Sequence, residues 1–420
     1  MSSLKAIILA AGKGVRMNSD TPKVLHLVSN KPIIRYVLDV LNSLGVKNIY
    51  MVLGHQSNLV RRYIGKEAVC VLQKNLLGTA DAVKVTASHL KNFKGDILIL
   101  CGDTPLLNRL TLRELIQKHR KTGASCTFVT AVVDNPAGYG RIIRDGLGSV
   151  CSIREDQDAN PEELAVQEIN VGVYCFKAND LFTHLKEIKL NPRKKEYYLT
   201  DIVGIFAQKN FLVETVKTAD PLEALGINTR VDLSIAEAIM RKRILRNFML
   251  QGVTIVDPDS TYIDATAKIG RDTTIRPHTI IEDDVRIGKR CLIGPFCRLR
   301  PKTQVADETE IGNFTEVSRT RIGEKCFVKH FSFLGDALLG RRVNIGAGVV
   351  TANFDGKNKN VTKIADDAFI GSDSILVAPV KVGKKSITGA GSVVLSQHSV
   401  PDGMAAVGVP ARILPRRKGL

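Results

Sequence analysis

The sequence contains no tryptophan, and aromatic residues make up only 5% of it. It therefore lacks the interleaved aromatic and basic surface on which single-stranded nucleic acid stacks. No apolar run approaches the about eighteen residues that a membrane span needs, and the start lacks the basic-then-apolar order of a secretory signal. These absences predict a cytoplasmic chain with no nucleic-acid partner and no integral membrane association. The eight cysteines include no C-x-x-C pair and mostly sit in apolar strand-like runs, which fits buried free thiols better than zinc ligands or disulfides. Neither G-x-x-x-x-G-K-[ST] nor G-x-G-x-x-G occurs, so neither a P-loop ATPase nor a dinucleotide dehydrogenase follows.

What remains is a globular composition, 44% hydrophobic and 24% charged over 420 residues, long enough for two or three domains. The net charge is +18. Lys and Arg look scattered along the chain, which favours anionic small substrates over a polymeric partner. The basic tail at 415–418 reads as a solvated end.

The most informative stretch is Leu9-Ala10-Ala11-Gly12-Lys13-Gly14-Val15-Arg16-Met17, followed by Pro22-Lys23. The apolar run before it reads as a buried parallel strand, so the loop lies at a strand's carboxyl end, where open α/β sheets bind ligands. Glycines allow close approach of backbone N–H groups to phosphate, and Lys13, Arg16 and Lys23 add cations. Strand-like runs at 48–53, 69–73, 96–101 and 126–133 alternate with helical patterns at 32–44, 81–90 and 110–122, which predicts a mostly parallel sheet covered on both faces. After the run ending at Cys101 comes Gly102-Asp103, a carboxylate at a strand end and a natural Mg²⁺ ligand beside a phosphate loop.

Further motifs follow in order: Gln73-x(4)-Gly78-Thr79, Gly138-Tyr139-Gly140-Arg141, Ile153-Arg154-Glu155, Gln167-Glu168-Ile169-Asn170-x-Gly172, Glu196-Tyr197-Tyr198-Leu199-Thr200-Asp201 and Gly226-Ile227-Asn228. Together with the first loop they resemble the uridylyltransferase domain of the bifunctional N-acetylglucosamine-1-phosphate uridylyltransferase and glucosamine-1-phosphate N-acetyltransferase family. The resemblance implies an α/β Rossmann-like nucleotidylyltransferase domain. Arg16 and Lys23 would face the triphosphate as catalytic cations, with Leu9, Ala10, Ala11 and Gly12 lining the UTP site. Gln73, Gly78 and Thr79 would read uridine, Gly140, Glu155 and Asn170 would bind the N-acetyl sugar phosphate, and Asp103 with Asn228 would hold Mg²⁺. Cys101 stands where relatives often have Tyr.

From 231 to 250 apolar residues recur at helical spacing, which predicts one long connecting helix with Arg241, Lys242, Arg243 and Arg246 solvated. Beyond it aliphatic residues fall every six positions, from Ile263 through Ile269, Ile275, Ile281, Ile287 and Ile293 to Val317. That period marks a parallel β-helix. The register slips at Ile322 and Leu339, and the polar stretch 353–360 is too long for a corner and should project as a loop. The predicted domains are 1–229, a linker helix at 230–251, and a β-helix over 252–420.

The β-helical part resembles the left-handed acetyltransferase domain of the same family, through Gly294-Pro295-Phe296-x-Arg298-Leu299-Arg300-Pro301, Gly312-Asn313-Phe314, Leu334-Gly335-Asp336-Ala337 and Asn353-Phe354-Asp355-Gly356-x-Asn358-Lys359. The resemblance implies His330 as general base, Arg300, Ser318, Phe333, Asn344 and Lys359 around the acetyl acceptor, and Ala347, Asn353, Phe354, Ser372 and Ala390 along the acetyl-CoA groove. It also implies a homotrimer. Ser318 stands where relatives carry Lys, Phe333 where they carry Tyr, and Gly408 where a CoA-contacting Arg is expected; the stretch before Gly294 is shorter than usual by about two coils. The expected activity is acetylation of glucosamine-1-phosphate, then coupling to UTP to give UDP-N-acetylglucosamine. The rival reading is a uridylyltransferase whose β-helix is a trimer scaffold or acylates another amine.

Overall fold

A computed structural model describes residues 3–54 and 56–414. It divides into two units, 1–237 and 238–420, with the break inside the long helix Arg230–Leu250.

The first unit is built on a nine-stranded sheet. Its strands are β1 (Leu4–Ala10), β2 (Ile49–Leu53), β3 (Val69–Leu72), β4 (Asp96–Cys101), β5 (Cys126–Val132), β6 (Arg141–Arg144), β7 (Val150–Arg154), β8 (Glu168–Lys177) and β9 (Val213–Lys217). The order is β9-β5-β8-β4-β1-β2-β3, with the hairpin β6–β7 attached to β8. All neighbours on the main path are parallel except β8, which runs antiparallel between β4 and β5. Ala6, Ile7 and Ile8 of β1 are fully buried, as a central strand covered on both faces requires.

Helices α1 (Ile33–Ser43), α2 (Ser57–Ile64), α3 (Thr79–Lys84), α4 (Arg109–Thr122), α5 (Pro161–Leu164), α6 (Ala178–His184) and α7 (Asp201–Gln208) complete this unit, and α8 (Arg230–Leu250) begins in it. Pro32 precedes α1, whose Ile33, Ile34, Val37, Leu38 and Leu41 face the core. The Asn108 side chain caps α4 by accepting from Leu110 N at 3.0 Å. The helix predicted at 81–90 is instead α3 followed by a separate 3₁₀ turn, Ala87–Leu90. Thr86 explains the break: its hydroxyl donates to the Val83 carbonyl at 2.7 Å, competing with the helical ladder.

The second unit is a prism of three sheets, of ten, eight and seven strands, parallel throughout except for the last pair of the ten-stranded one, the left-handed β-helix expected from the six-residue period. Each predicted aliphatic residue is the inward member of a short strand, and Ile275, Ile293, Leu299, Ile311 and Val317 have no exposed surface. A second inward column accompanies the aliphatic one. Two positions before each aliphatic stands a small buried residue, including Thr273, Thr279, Cys291, Cys297, Thr303 and Thr309. Its hydroxyls donate to backbone carbonyls, as Thr309 does to Gly323 O at 2.8 Å. The corners turn through left-handed backbone at non-glycine residues such as His278, Phe296 and Phe314.

At both register slips a corner is one residue shorter, so Gln304 pairs with Arg321 and Ala337 begins the strand after Asp336. The segment 353–360 closes on itself through a bridge between Phe354 and Lys359, with the Asp355 carboxylate accepting from Lys357 N, Asn358 N and Asn360 Nδ2.

Two charge expectations need correction. Arg241 and Arg243 are half-buried rather than solvated, and the Arg241 guanidinium stacks on the Tyr262 ring at 4.3 Å. Five of the 60 Lys and Arg residues, far apart along the chain, also fall in one column on a face of the prism. The eight cysteines are all free thiols. The basic tail at 415–418 lies outside the described residues. No helix among those described is long and apolar enough to cross a membrane.

Candidate functional site

At the carboxyl end of β1 the chain turns through Ala11 to Gly14 into the 3₁₀ turn Val15–Met17. A cavity of about 260 Å³ opens there. Its walls include Leu9, Ala10, Ala11, Gly12, Lys13, Lys23, Gln73, Gly78, Thr79, Cys101 and Asp103. Three segments converge on its floor. The Lys23 ammonium lies 2.5 Å from Asp103 Oδ2 and 3.1 Å from Asn228 Oδ1. Backbone bonds fix this meeting: Gly102 N donates to Leu9 O at 2.9 Å, and Ile227 N to the Asp103 carbonyl at 3.0 Å. Asp232, in the first turn of α8, accepts from the backbone N–H groups of Asn228 and Thr229, which holds Asn228 against Lys23, although Asn228 itself does not line the cavity.

The far wall depends on Gly78, at φ +99°, where an added Cβ would lie 2.6 Å from Tyr197 O and 2.8 Å from Tyr197 N. No other residue fits without moving that backbone. Gln73 is buried, its amide donating to Gly78 O at 3.1 Å and Asp81 Oδ2 at 2.8 Å. The Thr79 hydroxyl accepts from Leu199 N at 2.9 Å.

Beside the cavity, Asn170 N donates to Gly140 O at 2.8 Å and the Asn170 amide to the Tyr174 hydroxyl at 2.6 Å. Glu155 accepts from Thr200 Oγ1 at 2.7 Å, and burial pushes its carboxyl above the usual range. It lines a separate recess with Asp158, Tyr198 and Asp201. Cys101 lies near both Asp103 and Glu155, with its thiol pushed up to about 12 by burial; it is an unreactive spacer. Arg16 is exposed and does not line the cavity. Lys13, read from the sequence as one of the three cations of the loop, does. Arg230 closes the motif Gly226-Ile227-Asn228-Thr229-Arg230. It donates through Nε to Met17 O at 3.3 Å and lies 3.2 Å from His26 Nδ1, tying the phosphate loop to the start of α8. No local motif announces a bond across 213 residues.

In the prism, His330 ends the strand Phe327–His330 and is exposed. Ala347, Ser372 and Ala390 occupy the same corner position in the next three coils. Corner bonds show the alignment: Phe331 N donates to Asn313 O, Asp373 N to Ala347 O and Gly391 N to Ser372 O. Asn344 stands outward above Phe327 and below Phe369 in the ten-stranded sheet. Phe333 stands outward between Glu316 and Val350 in the eight-stranded sheet.

Arg300, Ser318, Asn353, Phe354 and Lys359 lie at the other edge of that eight-stranded sheet. A strand of about three residues, about 10 Å, separates them from the His330 edge, so one chain does not bring the two groups together. Arg300 pairs with Glu316 at 2.9 Å. Ser318 is buried and accepts from Arg319 Nη1 at 2.8 Å. Arg319 forms a two-pronged pair with Asp336, both contacts at 2.7 Å, and holds that carboxyl below its usual range. The buried Asn353 amide donates to Asp336 as well. Arg319, not Ser318, therefore presents the polar surface here.

Residues 5–218 match the family described as nucleotidyl transferase. Residues 266–301 match the bacterial transferase hexapeptide (six repeats), and 361–396 the hexapeptide repeat of succinyl-transferase. The chain is 42% identical to the bifunctional protein GlmU of Heliobacterium modesticaldum, covering 97% of this chain and 96% of that one. It is 41% identical to GlmU of Geobacillus sp. (strain WCH70), covering 93% and 92%, and 42% identical to GlmU of Pelotomaculum thermopropionicum, covering 90% and 90%. The chain belongs to the GlmU family. Membership in the GlmU family accounts for the pairing of a nucleotidyltransferase sheet with a hexapeptide prism in one polypeptide.

Proposed function

We propose that the chain makes UDP-N-acetylglucosamine in two steps, acetylating glucosamine-1-phosphate at the prism and coupling the product to UTP at the end of the α/β sheet. The convergence of Lys23, Asp103 and Asn228 carries the reading of the second step. An ammonium group held by a carboxylate and an amide oxygen marks a point where two hard oxygen donors meet around a cation. That donor set suits Mg²⁺, which takes one or two protein oxygens and completes its shell with phosphate oxygens and water. When bound, the ion would neutralise charge on the phosphates.

The chain's own groups then have distinct tasks. Lys23 exchanges its two partners for oxygens of the nucleotide phosphates, and Lys13 adds a second cation on the cavity wall. Gly12 lets backbone N–H groups approach the phosphates, and Arg16 meets the outer phosphates from the exposed side of the loop. Gln73, Gly78 and Thr79 form the wall against the base. Gly140, Asn170 and Glu155 hold the N-acetyl sugar so that its phosphate oxygen attacks the α-phosphorus in line as pyrophosphate leaves. Catalysis here is positioning and charge stabilisation, with no covalent intermediate on the protein.

At the prism, His330 removes the proton as the sugar amine attacks the thioester carbonyl of acetyl-CoA and the CoA thiol leaves. Ala347, Ser372 and Ala390 continue its edge as the groove for the cofactor, with Asn344 beside it. Arg300, Arg319 and Lys359 lie across the eight-stranded sheet, so a second copy must bring its own such edge to the first copy's His330. A homotrimer satisfies this. The test supplies purified protein with Mg²⁺, UTP and either N-acetylglucosamine-1-phosphate or glucosamine-1-phosphate plus acetyl-CoA, reading pyrophosphate and free thiol separately. Ser318 and Phe333 stand where the family carries two polar groups; pyrophosphate without thiol would favour the single-activity reading.

A further inference from the structure

The outward positions of the three prism sheets differ in kind. In the seven-stranded sheet, Lys268, Arg286, Arg321, Lys363 and Lys381 stand in one in-register column, with Gln304 and Leu338 filling the remaining rungs. All are exposed, and the column carries no acidic residue. In the ten-stranded sheet the corresponding column includes Phe327, Phe369 and Ile387 and has no cation. In the eight-stranded sheet it includes Tyr262, Ile280 and Ile375 and a single cation, Arg298.

Strands stack about 4.8 Å apart, so seven rungs make a flat cationic strip about 29 Å long. Like charges side by side on a sheet repel. Some cations on the neighbouring edge are neutralised: Arg290 pairs with Glu308 at 2.7 Å and Arg342 with Asp367 at 2.6 Å. On the strip, Arg286 comes no closer than 3.9 Å to Asp284. Lys268, Arg321, Lys363 and Lys381 make no ion pair among the described residues. The other two columns mix apolar residues with Glu310 and Glu316 and carry little positive charge; both border the candidate acetyl-transfer residues, which fits them for contact between copies and leaves the cationic sheet for another partner.

We propose that the outer face of the seven-stranded sheet docks on an anionic lipid bilayer. The strip is straight and flat like a bilayer surface, and its cations sit on long flexible side chains that can each reach a headgroup. It has no aromatic residue on which a base could stack, which disfavours nucleic acid. Five cations at the surface of an acidic membrane each raise partitioning about fivefold.

The test is cosedimentation of the full chain with vesicles of 70% phosphatidylcholine and 30% phosphatidylglycerol, or of phosphatidylcholine alone, from low to physiological salt. The wild-type protein should sediment with the anionic vesicles only, with affinity falling steeply as salt rises. The triple substitution Arg321→Glu, Lys363→Glu, Lys381→Glu should lower that affinity at least about a hundredfold while pyrophosphate and thiol release stay at wild-type levels. Should the triple variant misfold, Lys268→Gln with Arg286→Gln at the other end of the strip should lower it about twentyfold. Equal binding by wild type and a folded variant, or no anionic-vesicle binding at low salt, would overturn the proposal. Retention of thirty-base RNA or DNA in place of vesicles would overturn it too and give the face to nucleic acid.

Discussion

The two units assemble their candidate residues by opposite routes. In the α/β unit, Lys23 reaches an oxygen of Asn228 across 205 residues, and only folding of the whole sheet brings them together. In the prism, His330, Ala347, Ser372 and Ala390 climb one edge coil by coil, and their alignment follows from the repeat itself. A sheet site gathers varied chemistry at one point. A stacked repeat can only draw lines, so a pocket with varied chemistry needs a second line brought to it.

The comparison can be broken most decisively at Asp103. Asp103→Ala should reduce pyrophosphate release on the order of a thousandfold and leave thiol release intact, measured on the same preparation. His330→Ala should do the reverse, lowering thiol release about a hundredfold or more without touching pyrophosphate release. Loss of both activities in either variant would mean that the two chemistries are not separate.

Stability gives two smaller effects. Glu223 is buried and accepts from Asn108 N, Thr111 Oγ1 and Thr218 Oγ1 at 2.8–3.0 Å. Glu223→Ala strands these donors and should destabilise the α/β unit by about 3 kcal/mol, read as a lowered first transition in calorimetry. The prism's transition should not move.

The last prediction concerns pH. Burial lowers the pKa of His119 and of His26, the latter aided by Arg230. Their unfolded forms bind protons at higher pH than their folded forms, so the α/β unit loses stability as pH falls below about 6.5. The raised carboxyls of Glu155 and Asp201 act in the opposite sense, stabilising as they protonate, and offset part of the loss nearer pH 5. In the prism the paired carboxyl of Asp336 is lowered, chiefly by its bond from Arg319. Its contribution persists above about pH 4 and disappears only as pH falls through its folded value. Thermal melts between pH 7 and 5 should therefore shift the α/β transition and not the prism's. Equal shifts would show that the buried histidines do not govern acid sensitivity.

Much of this was legible in advance because it rests on local periodicity. The run at 96–101, the helix after Pro32 and the six-residue aliphatic ladder each follow from where apolar side chains must point. The strands at Arg141–Arg144 and Val150–Arg154 were read only as motifs, since hairpin strands lying over a sheet carry little alternation. The helix predicted at 81–90 failed because a single threonine hydroxyl took a backbone carbonyl. Asp103 was legible from its place at a strand's end, Asn228 only through resemblance; nothing in their own neighbourhoods required them to meet.

By itself the sequence determined the two architectures, because inward-facing residues announce their period to any reader of the chain. It also determined the inventory of chemical groups. Only the tertiary structure decided which of those groups share a site. It placed Lys13 rather than Arg16 on the cavity wall, Arg319 in front of Ser318, and five cations that look scattered along the chain in one column. Coil stacking juxtaposes residues seventeen, eighteen or twenty-five positions apart, a spacing that local charge patterns do not reveal.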